Sequence, residues 1–296
     1  MNTQQPYIIN KNLGQPLGDV TGELPQKNSE GLPVIPPTAE QKYVFDKNGW
    51  LLIENVLSGH ELDEMREYAV RIHEDPESLP EHERTPLAMP LQKLLDHPVV
   101  VGFLNEFTAS PPLSTQECYG FAHSFCNVMH RKPGEANLVP HNGNGLLRFP
   151  EDVHFYEAYP GKAHSPHTRF VWELNPVKEK QGGTLFVNGS HKSAFTAPEE
   201  IQNPDSDIWS SYSCPAGSLI IFSEATTHSA SIWKDEEFDR VAIFSLYNPI
   251  DSGWSPTRMP HPEIFESMPP LRRTLFRERH VVDNVVDADF RRLYNQ

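Results

Sequence analysis

Residues 214–249 read CPAGSLIIFSEATTHSASIWKDEEFDRVAIFSLYNP, and their reading decides the fold. A Pro-Ala-Gly turn leads into a short apolar run, Ser218 to Phe222, with the composition of a buried strand. A polar loop presents His228, and a second run of the same kind starts at Arg240. Working outward, similar runs recur as YGFAHSFCNVMH (119–130), NGLLRF (144–149), HTRFVWELN (167–175) and GGTLFV (182–187), separated by Gly, Pro and Asn. Short strands at this spacing make a sandwich or barrel rather than a βαβ array.

Before residue 118 the signals are helical. Thr38 with Gln41 resembles a capping box for a helix that Asn48-Gly49 stops, and a strand follows from Trp50 to Val56. Ser58 with Glu61 forms a second box, and Asp96 is the expected cap of a third helix. The predicted fold is therefore mainly β: a double-stranded β-helix (jelly roll, cupin-like) buttressed by N-terminal and C-terminal helices. Residues 1–37, rich in Pro, Gly, Asn and Gln, read as an extended arm, and 38–296 as a single domain with a proline-broken helical tail from about 251.

The balance of 25 Lys+Arg against 40 Asp+Glu, net −15, sets up a field that repels nucleic acid and anionic membranes, so neither is an expected partner. Arg272, Arg273, Arg277 and Arg279 form the one basic cluster, read as a solvated helix face. Three cysteines without CxxC spacing indicate neither a disulfide framework nor a cysteine zinc site. With no signal peptide at the start and no run near the roughly 18 apolar residues of a membrane span, a soluble cytoplasmic protein is expected. The oligomeric state is not legible.

Fourteen histidines are too many to weigh singly, so motif position must choose among them. His228 after an apolar strand, with Arg240 about a dozen residues on, resembles the phytanoyl-CoA dioxygenase family of iron and 2-oxoglutarate oxygenases. Residues 39–68 (AEQKYVFDKNGWLLIENVLSGHELDEMREY) resemble the family's opening helix, strand and helix. Residues 172–193 (WELNPVKEKQGGTLFVNGSHKS) resemble its central block, and the likeness runs over roughly 38–250. It implies Fe(II) held by His141 and His228, and 2-oxoglutarate held by Arg240; Trp172 and Arg169, on an expected strand, are separate candidates for that pocket, Arg169 first as a substrate or co-substrate contact. The chemistry agrees, because Fe(II) accepts imidazole and carboxylate on one face and leaves positions for co-substrate and oxygen. A planar guanidinium pairs with a carboxylate through two parallel bonds. The bland reading of Arg240 is a surface pair with Asp235 or Asp239.

The family's proximal motif is His-x-Asp/Glu, and here the sequence departs from it. PHNGNGLLRF (140–149) puts His141 at the ligand, Asn142 between, and Gly143 where the carboxylate belongs. His130 and His154 do not restore the triad, since Lys132 and Tyr156 stand two residues on; His154 with Glu157 is a weaker substitute. His-x-Gly resembles the halogenase branch, which implies chloride at the vacated position, with Asn142 or Asn144 able to donate to a bound anion. The catalytic set is thus His141, Gly143 and His228. The implied reaction oxidises an aliphatic C–H bond of a small molecule, by halogenation or hydroxylation. His123, Asn127, Arg148 and His191 are further candidates for the pocket wall. Two rivals stand: a non-catalytic jelly-roll binding protein, and a cupin-like metalloenzyme without 2-oxoglutarate, completed by a third histidine such as His130 or His154.

Overall fold

The computed structural model describes residues 23–143, 145, 153–253 and 257–278. Most of the expected NGLLRF strand, Arg148, Arg279 and residues 1–22 of the arm lie outside them. Three helices surround the first strand: α1 (Ala39–Asn48), β1 (Trp50–Ile53), α2 (Gly59–Glu74) and α3 (Pro98–Phe107). Then come β2 (Phe121–Arg131), β3 (Glu157–Tyr159), β4 (Lys162–His164), β5 (Thr168–Glu173), β6 (Gly183–Phe186), β7 (Ser218–Ser223), β8 (His228–Ser231) and β9 (Arg240–Pro249). Two short helices follow, α4 (Pro262–Ser267) and α5 (Pro270–Arg273).

The capping box of α1 is complete: Thr38 Oγ1 accepts from Gln41 N at 3.1 Å and Gln41 Oε1 accepts from Thr38 N at 2.9 Å. Ser58 makes no such bond at α2. The cap of α3 is His97, whose Nδ1 accepts from Val99 N at 3.3 Å, because Asp96 is engaged elsewhere. Its carboxylate receives Arg272 Nε at 2.8 Å and Tyr119 Oη at 3.0 Å. Arg272 also bonds Gln92 and Glu30, and Arg277 donates to the carbonyls of Leu113 and Tyr119. Both arginines are buried, so the expected solvated face is instead an internal clamp on the C-terminal tail.

A five-stranded antiparallel sheet runs in the order β1-β7-β5-β9-β2, and β6-β8 and β3-β4 form two-stranded sheets; the roll is open rather than a closed barrel. Period-two alternation splits the large sheet into two faces. Phe170, Trp172, Leu219, Ile221 and Ile243 join Phe45, Met65 and Phe103 of the helices in the main core. The opposite face, with Val171, Ile220, Phe222 and Ala242, packs against Phe186, Tyr212 and Trp233. Trp50 stacks on Phe186 across the roll with ring centroids 4.9 Å apart. Glu173, Ser218 and Arg240, which the alternation points into this second layer, are buried by it.

Candidate active site

His228 opens β8, and His141 pairs with it in an isolated antiparallel bridge with reciprocal N–H···O bonds of 3.1 Å. The backbone thus sets the two imidazoles side by side, with centroids 4.1 Å apart. Nδ1 of His141 lies 2.7 Å from Val139 O, and Nδ1 of His228 lies 2.8 Å from Thr226 O. A carbonyl can only accept, so each Nδ1 carries a proton, and in the neutral ring Nε2 keeps its lone pair. That is the tautomer and orientation a metal-binding histidine needs. Burial pushes the pKa of His228 down to about 4, outweighing the nearby Glu224, so the ring is neutral at pH 7.

Gly143 has φ 106°, in the region that favours glycine, and a Cβ there would lie 2.3 Å from Thr227 Oγ1. The missing carboxylate therefore cannot be restored in this backbone without strain. Asn142 does donate to an anion, but the anion belongs to the protein: its Nδ2 is 3.0 Å from Glu224 Oε2. Glu224 is 3% exposed, its Oε1 accepts from Arg169 Nε, and its Oε2 is 3.8 Å from His228 Nε2. Burial opposes its charge, yet Arg169 with the imidazoles of His228 and His167 holds its pKa down to about 2. The sequence reading missed this residue, although Ser218, Ile220, Phe222 and Glu224 continue one inward alternation.

Glu224 also gathers with His154 and His167, one ligand atom from each lying within 4.8 Å of the others. Asn248 Nδ2 donates to Pro166 O at 2.9 Å, which fixes the amide, and the same nitrogen lies 2.6 Å from His167 Nδ1. That lone pair is therefore taken, and the proton of the neutral ring sits on Nε2. His130 is on the helix side of the sheet with His73, Glu74 and Asp239.

Arg240 is not a surface pair. It is 1% exposed, and its Nη2 donates to Glu173 Oε1 at 2.5 Å, Tyr212 Oη at 3.1 Å and Thr184 Oγ1 at 3.3 Å. Arg131 lies opposite Arg240 in register, and its buried Nη1 has no hydrogen-bond partner. Burial, and next the Arg240 charge, lower the pKa of Arg131. Two guanidinium groups thus face one buried carboxylate, and one further carboxylate would balance them. This charge set fits the far end of a dicarboxylate, as the two free Nε2 atoms fit a divalent cation. The ring of Phe244 is 6.0 Å from Arg169 Cζ and 5.5 Å from Arg240 Cζ, linking the two ends.

Trp172 is fully buried on the other face of β5, with its ring 5.3 Å from His97, so alternation separates it from Arg169. His123 packs against Tyr247 and Phe276, and His191 Nε2 donates to Asp46 O. Asn127 stands opposite Phe244 on the inner face. A cavity of about 680 Å³ opens beside Gly143, with Asn142, Thr227, Ser190 and Phe195 in its wall and no charged side chain among the described lining residues.

The fold has solved counterparts. HygX from Streptomyces hygroscopicus with nickel, 2-oxoglutarate and hygromycin B bound is similar at TM-score 0.58 and 21% identity, over 86% of this chain and 100% of that one. EctD from S. alaskensis in its apoform is similar at TM-score 0.52 and 15% identity, over 79% and 83%. No curated protein sequence matches. The sequence profile of one family covers residues 45–232, more than half of the chain, and the block it spans carries the paired histidines: the chain belongs to the phytanoyl-CoA dioxygenase (PhyH) family.

Proposed function

We propose that the protein oxidises an aliphatic C–H bond of an uncharged small molecule, using Fe(II) and 2-oxoglutarate. The observation that carries this reading is the His141–His228 pair, with both Nδ1 atoms held by carbonyls and both Nε2 atoms left to bind a cation. In this reading Arg131 and Arg240, with Glu173 between their charges, take the far carboxylate of the co-substrate. Phe222, its ring 4.7 Å from that of His228, and Phe244 keep water from the space between. The uncharged cavity beside Gly143 holds the substrate. When bound, iron and 2-oxoglutarate supply the power to activate dioxygen. In the hydroxylating case one oxygen atom leaves in succinate with release of CO2, and the other enters the substrate as a hydroxyl. What occupies the coordination position beside Gly143 decides between this outcome and halide transfer. HygX was solved with nickel, 2-oxoglutarate and hygromycin B together, which supports a small-molecule substrate for a fold of this kind.

The test is anaerobic mixing of the protein with Fe(II) and 2-oxoglutarate. A visible charge-transfer band is expected, lost in His141→Ala and His228→Ala, with succinate formed once oxygen is admitted. A colourless mixture at saturating iron would favour the non-catalytic binding protein.

A further inference from the structure

We propose that Arg131 anchors the co-substrate: its guanidinium forms the two-bond pair with the far carboxylate of 2-oxoglutarate, while Arg240 stays on Glu173 and lends only its charge. This deepens the reading that the protein binds 2-oxoglutarate, and it rests on that reading. The sequence motif puts the grip on Arg240; the hydrogen bonds of the folded chain move it to the residue opposite, at the end of β2.

Three observations carry it. The first is that the pairing edges of Arg240 are spent. Its Nη2 has two hydrogens to give and already faces Glu173 Oε1, Tyr212 Oη and Thr184 Oγ1, while its Nε donates to Glu173 Oε2 at 3.3 Å. A guanidinium makes two parallel bonds to a carboxylate along an edge, and both of its open edges include Nη2. The second is placement. Arg131 and Arg240 stand directly opposite in an antiparallel pair, where side chains share a face with Cβ atoms about 4.5–5.5 Å apart. Met129 and Ala242, the next pair on that face, pack in the second core layer, so Arg131 projects into the same interior as Arg240. The third is charge. Burial pushes the pKa of Tyr212 well above the ordinary range, so it stays neutral, and two guanidinium groups against Glu173 leave one positive charge. Glu135, the other acid near Arg131, is exposed, and its Oε2 accepts from Lys132 N at 2.8 Å. The buried Nη1 of Arg131 has no acceptor, which costs its desolvation, and its charge is repelled by Arg240. An arriving carboxylate relieves both penalties at once.

The experiment is anaerobic calorimetry of the full chain with Co(II), titrated with 2-oxoglutarate and with 2-oxopentanoate, the same keto acid without its far carboxylate. The ratio of the two dissociation constants isolates that carboxylate. Arg131→Met should weaken 2-oxoglutarate by at least about 30-fold, the low end of losses for one partner of a buried charge pair, and leave 2-oxopentanoate nearly unchanged. Arg131→Lys should recover only part of the loss, since an ammonium has no pairing edge, and it carries the comparison where Arg131→Met fails to fold. The double variant E173L/R240M, which removes Arg240 without stranding its partner, should lower the ratio less than Arg131→Met does. Because Arg131 faces a like charge, Arg131→Met should also keep or raise the urea midpoint. A ratio within about threefold of the wild type in Arg131→Met, or a larger fall in E173L/R240M, would overturn the assignment. Equal losses for both acids with a lowered midpoint would make Arg131 structural and overturn it too. Wild-type protein that binds neither acid in the presence of Co(II) refutes the 2-oxoglutarate reading itself, whereas tight 2-oxoglutarate binding with an unchanged ratio in Arg131→Met refutes Arg131 alone.

Discussion

Inside the roll, Glu173 and Glu224 each accept hydrogen bonds from a single arginine, Arg240 and Arg169. Glu173 is fully buried and bonds Arg240 and Tyr212, so its removal strands a guanidinium that is 1% exposed. Breaking a buried pair from one side costs about 3–5 kcal/mol, whereas removing both partners together costs far less. Glu173→Ala should therefore lower the unfolding free energy by about that amount in urea titrations, and E173L/R240M should recover most of it. If the single and double variants were equally unstable, packing rather than charge would explain the loss. Neither Glu173 nor Glu224 announces itself in the sequence, because an acidic residue at a strand end is ordinarily solvated. Only the partners brought by β9 and β5 make them interior residues. The spacing of Arg240 from His228 was readable because it is a local property of one strand–loop–strand unit; its burial was not.

The strands were readable as elements because alternation and Gly, Pro and Asn breaks are local. What the pattern left ambiguous was parity. Arg169 and Trp172 were both expected beside the co-substrate, yet residues an odd number apart on β5 point to opposite faces, and the paired strands assign Trp172 to the helices. The capping box of α1 survived the comparison because it closes within four residues, whereas Asp96 was lost as a cap to Arg272, which lies far along the chain. Between elements, α3 meets the described part of the N-terminal segment at Gly102, where a Cβ would stand 1.9 Å from Ile35 O. Alanine in a helix interior gains up to about 1 kcal/mol over glycine. Overpacking against backbone costs about 1–3 kcal/mol, so the clash wins. Gly102→Ala should thus destabilise, read as a lower urea midpoint; a higher midpoint would mean that the segment moves aside freely.

For the molecule as a whole, histidines other than the paired imidazoles tie stability to pH. Burial lowers the pKa of His97 to about 4, of His123 to about 3 and of His191 to about 4. Between the unfolded value near 6.5 and these folded values, the unfolded chain binds more protons, so stability rises with pH across that window. Acidification from pH 7 to pH 5 should therefore lower the melting temperature of metal-free protein while its carboxylates remain ionised. An unchanged melting temperature by circular dichroism over that range would mean these rings are open to water. His123→Phe, which removes one such titration, should flatten the dependence.

The backbone at Gly143 also bears on how this centre could ever change. Putting an acid back at that position is not a one-step reversal. The new side chain must be accommodated at a positive φ, Thr227 must surrender its 3.1 Å bond to Asn142 O, and the incoming carboxylate would then confront Glu224. An acid at 143 therefore requires the local backbone and Thr227 to adjust with it. Anyone engineering the centre toward the common triad should alter 143, 224 and 227 together.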